Sequence, residues 1–208
     1  KLYVGTDNYG LYMYDNGTFQ RVSEMYNLGV STINAMYEDD NKNLWIAASS
    51  GIFRLSSDGA EALADDVVSG LSVGNISGHG DYVYAIANND ILITVDPERH
   101  VTITNKSEYR VDDINSLYVD ENGNRYYGSA GYSILKIETD GKNEIINTGS
   151  LHGINKIYSD GDNIWALADD GVGYISSKGN VTAIGGLSFN ESMSDMIIDF
   201  EGNYWFTS

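Results

Sequence analysis

Apolar residues along the chain fall in short runs, some alternating with polar residues and some continuous, and the runs are separated by turns rich in Asn, Asp, Gly and Ser. No segment keeps a 3.6-residue apolar period over ten or more residues, so the pattern predicts strands and not helices. One stretch, "NLWIAASSGIFRLS" from Asn43, sets an aromatic between apolar residues, follows it with small residues and a glycine, and continues into a second apolar run. The same order returns in "KLYVGTDNYGLYMYD" from Lys1, "YVYAIANNDILITVD" from Tyr82, "NRYYGSAGYSILKIE" from Asn124, "NIWALADDGVGYIS" from Asn163 and "NYWFTS" from Asn203. The aromatic position is held by Tyr3, Trp45, Tyr84, Tyr126, Trp165 and Trp205, at spacings of 42, 39, 42, 39 and 40 residues. A period near 40 is in the range of β-propeller repeats and too long for leucine-rich or ankyrin units.

A second element precedes most of the aromatic strands: "INAMYEDDNKN" from Ile33, "INSLYVDENGN" from Ile114, "INKIYSDGDN" from Ile154 and "MSDMIIDFEGN" from Met193, with a degenerate form near "ISGHGDY" from Ile76. A weaker fourth run follows each unit, as in "TFQRV" from Thr18, "AEALA" from Ala60, "VTIT" from Val101, "NEII" from Asn143 and "VTAI" from Val181. Four short strands per unit, here named A to D with the aromatic on B, make an antiparallel propeller blade. A lone blade cannot bury both its faces, and stacking blades covers the Trp, Ile and Leu positions. The small residues after the aromatic (Gly5, Ala47, Ala48, Gly128, Ser129) let neighbouring sheets approach. The expected fold is all-β: a β-propeller of four-stranded antiparallel blades, about five repeats of about 40 residues. It forms one propeller region over 1–208, with blades at about 1–23 (partial), 33–63, 73–104, 114–146, 154–184 and 193–208 (partial). The chain opens in a strand already under way and both starts and stops at a B strand. This reads as part of a larger propeller array, with five-blade closure and a displaced last strand as the alternative.

The pattern I-N-x-x-Y-x-D, then G-N-x-W and a turn, then Gly and an apolar residue, resembles the two-component regulator propeller repeat. The resemblance covers essentially the whole chain and is weakest between Leu63 and Asp81. It implies an extracytoplasmic sensor region, periplasmic or at the cell surface, of a bacterial hybrid two-component system or diguanylate cyclase. It also implies glycan breakdown products as ligands, signalling domains of a parent receptor as partners, and signalling through a homodimer.

Charge and composition narrow the chemistry. Acidic residues outnumber basic ones 30 to 12, for a formal charge of −18. A surface with so few Lys and Arg repels phosphate backbones, which argues against nucleic acid as a partner. The chain contains no Cys, so disulfides, thiolate metal sites and cysteine nucleophiles are excluded together. No apolar run approaches the roughly 20 residues of a membrane span.

The acidic turns "DDNKN", "DENGN" and "DGDN" resemble the start of a calcium loop. Numbered from Asp120, however, position 6 is Arg125 and position 12 is Gly131, where the loop needs Gly and Glu. They are read as hairpin tips, for which Asn, Asp and Gly tolerate positive φ. His79, His100 and His152 have no spaced metal-binding partners, and neither a G-x-S-x-G elbow nor a phosphate loop is present. No catalytic residue, metal or cofactor is expected. A ligand face is expected where the B–C turns and D–A connections gather, with Tyr9, Tyr132, His152, Asp169 and Asp170, together with Asn34, Asn115 and Asn155 just after the first Ile of strand A. Amides, carboxylates and aromatic rings suit small polyhydroxylated ligands such as oligosaccharides. The favoured function is a non-catalytic ligand-sensing domain. A protein-interaction scaffold and a carbohydrate-active enzyme using two carboxylates are the alternatives.

Overall fold

The computed structural model describes residues 1–63, 67–160, 163–176, 179–184 and 192–207. The middle of the "DGDN" turn, 161–162, and the final residue, 208, lie outside the described residues. The chain divides into two compact units, Lys1–Asn105 and Lys106–Ser208.

In the first unit, β1 (Leu2–Gly5), β2 (Leu11–Asp15) and β3 (Thr18–Arg21) form a three-stranded sheet, and one helical turn, α1 (Val22–Met25), follows. Two four-stranded meanders come next. One is β4 (Ile33–Glu38), β5 (Leu44–Ala48), β6 (Gly51–Ser56) and β7 (Gly59–Ala62). The other is β8 (Val73–His79), β9 (Tyr82–Ala87), β10 (Ile91–Val95) and β11 (Val101–Asn105). The second unit opens with a 3₁₀ turn, Lys106–Glu108. Its first meander is β12 (Ile114–Val119), β13 (Arg125–Ser129), β14 (Ser133–Ile137) and β15 (Asn143–Asn147). Its second is β16 (Ile154–Ser159), β17 (Ile164–Ala168), β18 (Gly171–Ile175) and β19 (Val181–Ala183), and a pair, β20 (Asp195–Ile198) and β21 (Tyr204–Thr207), completes it. All pairings are antiparallel, as the repeat predicts. The six sheets are blades 1 to 6 in chain order.

The continuous apolar runs on the B strands follow from burial on both faces. All five residues of β5 are buried. Leu44, Ile46 and Ala48 pack with Leu11 and Val22 of the first blade, while Trp45 and Ala47 pack with Val73, Val83 and Ala85 of the third. Strand β17 repeats the division: Ala166 and Ala168 pack with Ile134 and Ile146, and Trp165 and Leu167 with Met193 and Met196. The close approach expected at the small residues is found at Gly5 and Gly128. A Cβ on Gly5 would lie 2.6 Å from Ile33 Cγ2, and one on Gly128 would lie 2.6 Å from Ile154 Cγ2.

Four of the A–B turns are each locked by one aspartate. Asp39, 7% exposed, accepts the Asn43 backbone N–H at 2.8 Å, the Asn43 side-chain amide at 2.9 Å and the Trp45 indole N–H at 2.9 Å. Asp160 accepts from Asn163 N and Trp165 Nε1, both at 2.7 Å. Asp199 accepts from Asn203 N at 2.9 Å and Trp205 Nε1 at 2.8 Å. Asp120 accepts from Asn124 N at 2.8 Å, and Tyr126 replaces the indole at 3.4 Å. Burial, reinforced by the charge of Asp120, pushes the Tyr126 phenol up to about 12. The indole and the Asn203 amide hold Asp199 down at about 2. The acidic residues of these turns therefore close hairpins.

The "I-N" that opens strand A is a β-bulge. Register slips between Ile33 and Ala35, Val73 and Asn75, Ile114 and Ser116, and Ile154 and Lys156, leaving Asn34, Gly74, Asn115 and Asn155 as the extra residues. The side chains at or beside the bulge reach the next blade. Asn34 Nδ2 donates to Val73 O at 2.8 Å, Asn155 Nδ2 to Met193 O at 3.3 Å, and Ser116 Oγ to Ile154 O at 2.9 Å. Val73 and Ile154 open their strands and Met193 lies two residues before β20, so one polar clasp recurs between these blades.

Replacing Trp45 with Phe leaves a smaller aromatic ring in the core and removes one donor to Asp39, and urea denaturation should show a loss of at least about 1 kcal/mol. Asp39→Ala strands the Asn43 amide and the indole together and should cost about 2–3 kcal/mol. Burial opposes the charge on Asp39, but the bonds from Asn43 and Trp45 outweigh it and lower its pKa from 3.8. The native state then binds fewer protons than the unfolded one. Stability from Asp39 is complete above pH 3.8 and is lost as the pH falls from there through the lowered native value. Asp39→Asn should flatten that acid limb of the stability curve.

Candidate functional site

In a four-stranded meander the B–C turns and D–A connections fall at one end of the blade, and the A–B and C–D turns at the other. The second unit brings five of the eight expected residues together at the first of these ends. His152 and Asn155 flank the start of β16, Asp169 and Asp170 form the β17–β18 turn, and Tyr132 stands in the β13–β14 turn of the preceding blade.

Backbone bonds fix this geometry. Gly153 N donates to Gly131 O at 2.9 Å, joining the two blades, and Asp169 N donates to His152 O at 2.9 Å. Asp170 Oδ1 accepts the backbone N–H of His152 at 2.9 Å. The His152 ring meets the Tyr132 ring edge-on, with centroids 4.9 Å apart. Its Nδ1 lies 3.8 Å from Asp169 Oδ2. Asp169 Oδ1 accepts from Asn155 Nδ2 and Ser192 Oγ, each at 2.9 Å. Those two bonds, with the nearby His152 ring, hold the Asp169 carboxyl below the usual carboxylate range against the opposing effect of desolvation. Tyr132 is 52% exposed, and its phenol makes no hydrogen bond among the described residues. The result is a fixed anionic acceptor beside two exposed rings.

Of the other three residues, two belong to the first unit and one is the bulge residue of β12. Asn34 belongs to the first unit and clasps Val73. Asn115 is the half-buried bulge residue of β12. Tyr9, in the first unit, is 65% exposed, and its carbonyl accepts from Arg21 Nε at 2.8 Å. Sequence reasoning missed Ser192. The signal was available by analogy: Thr32, at the equivalent place before strand A, donates to Asp7 Oδ1 at 3.1 Å, as Ser192 does to Asp169.

One group with metal-ligating atoms occurs among the described residues: Asp96, Glu98 and His100, whose ligand atoms lie within 4.8 Å of one another. Asp96 already closes the β10–β11 turn, accepting the backbone N–H of His100 at 2.8 Å with its ring nitrogen at 3.0 Å. The group thus has the geometry of the A–B turns, with His100 in the place of the asparagine.

Removing the Asn155 amide should let the Asp169 pKa climb back toward its ordinary value. Carboxyl-detected NMR titration of the wild type and Asn155→Ala would measure that rise. An unchanged midpoint would show that Asn155 does not hold the carboxylate.

Residues 27–50, which span β4, its turn and β5, match the family model described as two component regulator propeller. No curated protein matches the chain in sequence. Similar solved structures include the extracellular domain of a protein described as a hybrid two component system of B. thetaiotaomicron (21% identity, TM-score 0.76, covering 97% of this chain and 31% of that one). PorZ, a surface component of the type-IX secretion system of Porphyromonas gingivalis, is another (16% identity, TM-score 0.74, 98% and 35%). Virginiamycin B lyase from Staphylococcus aureus is a third (14% identity, TM-score 0.67, 84% and 62%). The chain therefore spans about a third of the first two and under two thirds of the lyase. At these identities the shared feature is the fold. The chain is built of four-stranded antiparallel propeller blades and carries the two component regulator propeller repeat.

Proposed function

We propose that this chain is a non-catalytic ligand-sensing propeller region of a bacterial signalling receptor, lying outside the cytoplasmic membrane and binding small oligosaccharides from glycan breakdown. The observation that carries the reading is the gathering of Tyr132, His152, Asn155, Asp169 and Asp170 at one end of the second unit. Two exposed rings offer apolar faces for a sugar, and the carboxylates offer acceptors for hydroxyls. Asp169 is held as an anion by two donors, which suits a fixed acceptor better than a general acid. The extracellular setting of the B. thetaiotaomicron relative and the surface setting of PorZ support the location. Signalling would follow from a ligand that binds one arrangement of the parent receptor more tightly than another.

The alternative reading is an interaction scaffold. Melting the chain against an oligosaccharide panel separates the two. A ligand at about 100 times its dissociation constant adds about 2.7 kcal/mol, a shift of a few degrees. Tyr132→Ala and His152→Ala should abolish the shift while leaving the unliganded melt in place. A sharp melt that no sugar moves would favour the scaffold.

A further inference from the structure

A separate cleft of about 370 Å³ lies within the first unit, between blades 2 and 3, at the end that bears the A–B and C–D turns. Its lining carries both signs of charge: Arg54 and Arg99, and Asp81 and Asp96. The whole chain has five arginines, so a pair at one cleft is a concentration of its scarce positive charge. Arg54 stands over the Trp45 ring, 5.8 Å from its centroid. Arg54 Nη1 donates to Glu61 Oε1 at 3.1 Å, and Arg99 Nη1 donates to the same oxygen at 2.6 Å. Two guanidiniums therefore share one carboxylate oxygen, and neither makes another side-chain hydrogen bond among the described residues. Each has five donors in a planar fork suited to a carboxylate, so most of that capacity is open.

The acidic members keep some acceptor capacity as well. Asp81 accepts a single bond, from the Asn41 amide at 2.9 Å, and is exposed. Asp96 accepts within its own turn, from the backbone and ring of His100 and the backbone of Glu98, and its side chain is 30% exposed. Asp39, in the same lining, is buried and fully bonded by its turn, so it belongs to the blade and not to a ligand. A simple anion entering here would meet Asp81 and Asp96, and a simple cation would meet the arginines. A molecule bearing both charges satisfies both sets and is favoured over either half. The volume is at the small end of ligand clefts and suits a ligand the size of an amino acid.

We propose that this cleft binds a zwitterionic ligand of the amino-acid class, its carboxylate on Arg54 and Arg99 and its ammonium on Asp81 and Asp96. The test is calorimetric titration of the intact chain with the twenty L-amino acids. The best binder is then compared with its two halves, the acid lacking the amino group and the amine lacking the carboxylate. The expected result is saturable binding of at least one amino acid, with each half weaker by about tenfold or more. Arg54→Gln, Arg99→Gln and Asp81→Asn should each weaken binding by a similar factor. Glu61→Gln, which frees both guanidiniums, should tighten it. Lys142→Gln, at an exposed lysine of the second unit, should leave it unchanged. Near-UV circular dichroism verifies the fold of each variant, and Glu61→Gln gives a gain that misfolding cannot imitate. The proposal is overturned if no amino acid binds the folded chain, if either half binds as tightly as the whole, or if the arginine variants bind like the wild type.

Discussion

One carboxylate per turn organises the blades. In Asp39, Asp160 and Asp199 the same group collects a backbone N–H, an asparagine amide and an indole N–H, and so ties the turn to the first residues of strand B. Trp45 and Trp165 can then be buried against the next blade without leaving an indole N–H unsatisfied, which would cost more than the bond itself contributes. Where the indole is missing, as in the blade of β12 to β15, a tyrosine hydroxyl substitutes at longer range and the phenol pays in a raised pKa. The third blade lacks the box, and its Asp81 accepts from Asn41 of the neighbouring turn.

The second recurring device works between blades. A bulge at the start of strand A turns an extra residue away from the ladder, and the Asn34 and Asn155 amides reach a carbonyl at or just before the start of the next strand A. At the blade of β12, Ser116 makes the equivalent reach to Ile154. Apolar burial supplies the non-directional attraction between sheets, and these clasps set their register. The clasps cross-link the rim at one end of these blades, and Tyr132, His152 and Asp170 stand on that rim in the second unit.

Much of this was legible in the sequence. The period near 40, the continuous apolar B strands and the small residues after the aromatic are consequences of stacking, and a one-dimensional pattern records them directly. The site was legible in part. Tyr132, His152, Asp169 and Asp170 sit in turns whose end of the blade follows from strand order alone. Asn34 was placed on the ligand face as an amide just after the first Ile of strand A, but its bond to Val73 crosses 39 residues of sequence, and pattern alone does not show such contacts. The partner of Asp169, Ser192, was hidden for the same reason, 23 residues away. The mixed-charge cleft depends on Arg54 and Arg99 meeting at Glu61 from two blades, which no local motif announces.

The central claim is that the exposed end of the second unit takes a small ligand. Amide and aromatic chemical-shift mapping of the intact, isotopically labelled chain during titration with size-fractionated glycan hydrolysates tests it most directly. The account predicts saturable changes centred on Tyr132, His152, Asp169 and Asp170. Saturable changes confined to other residues, or none with any fraction, would contradict it.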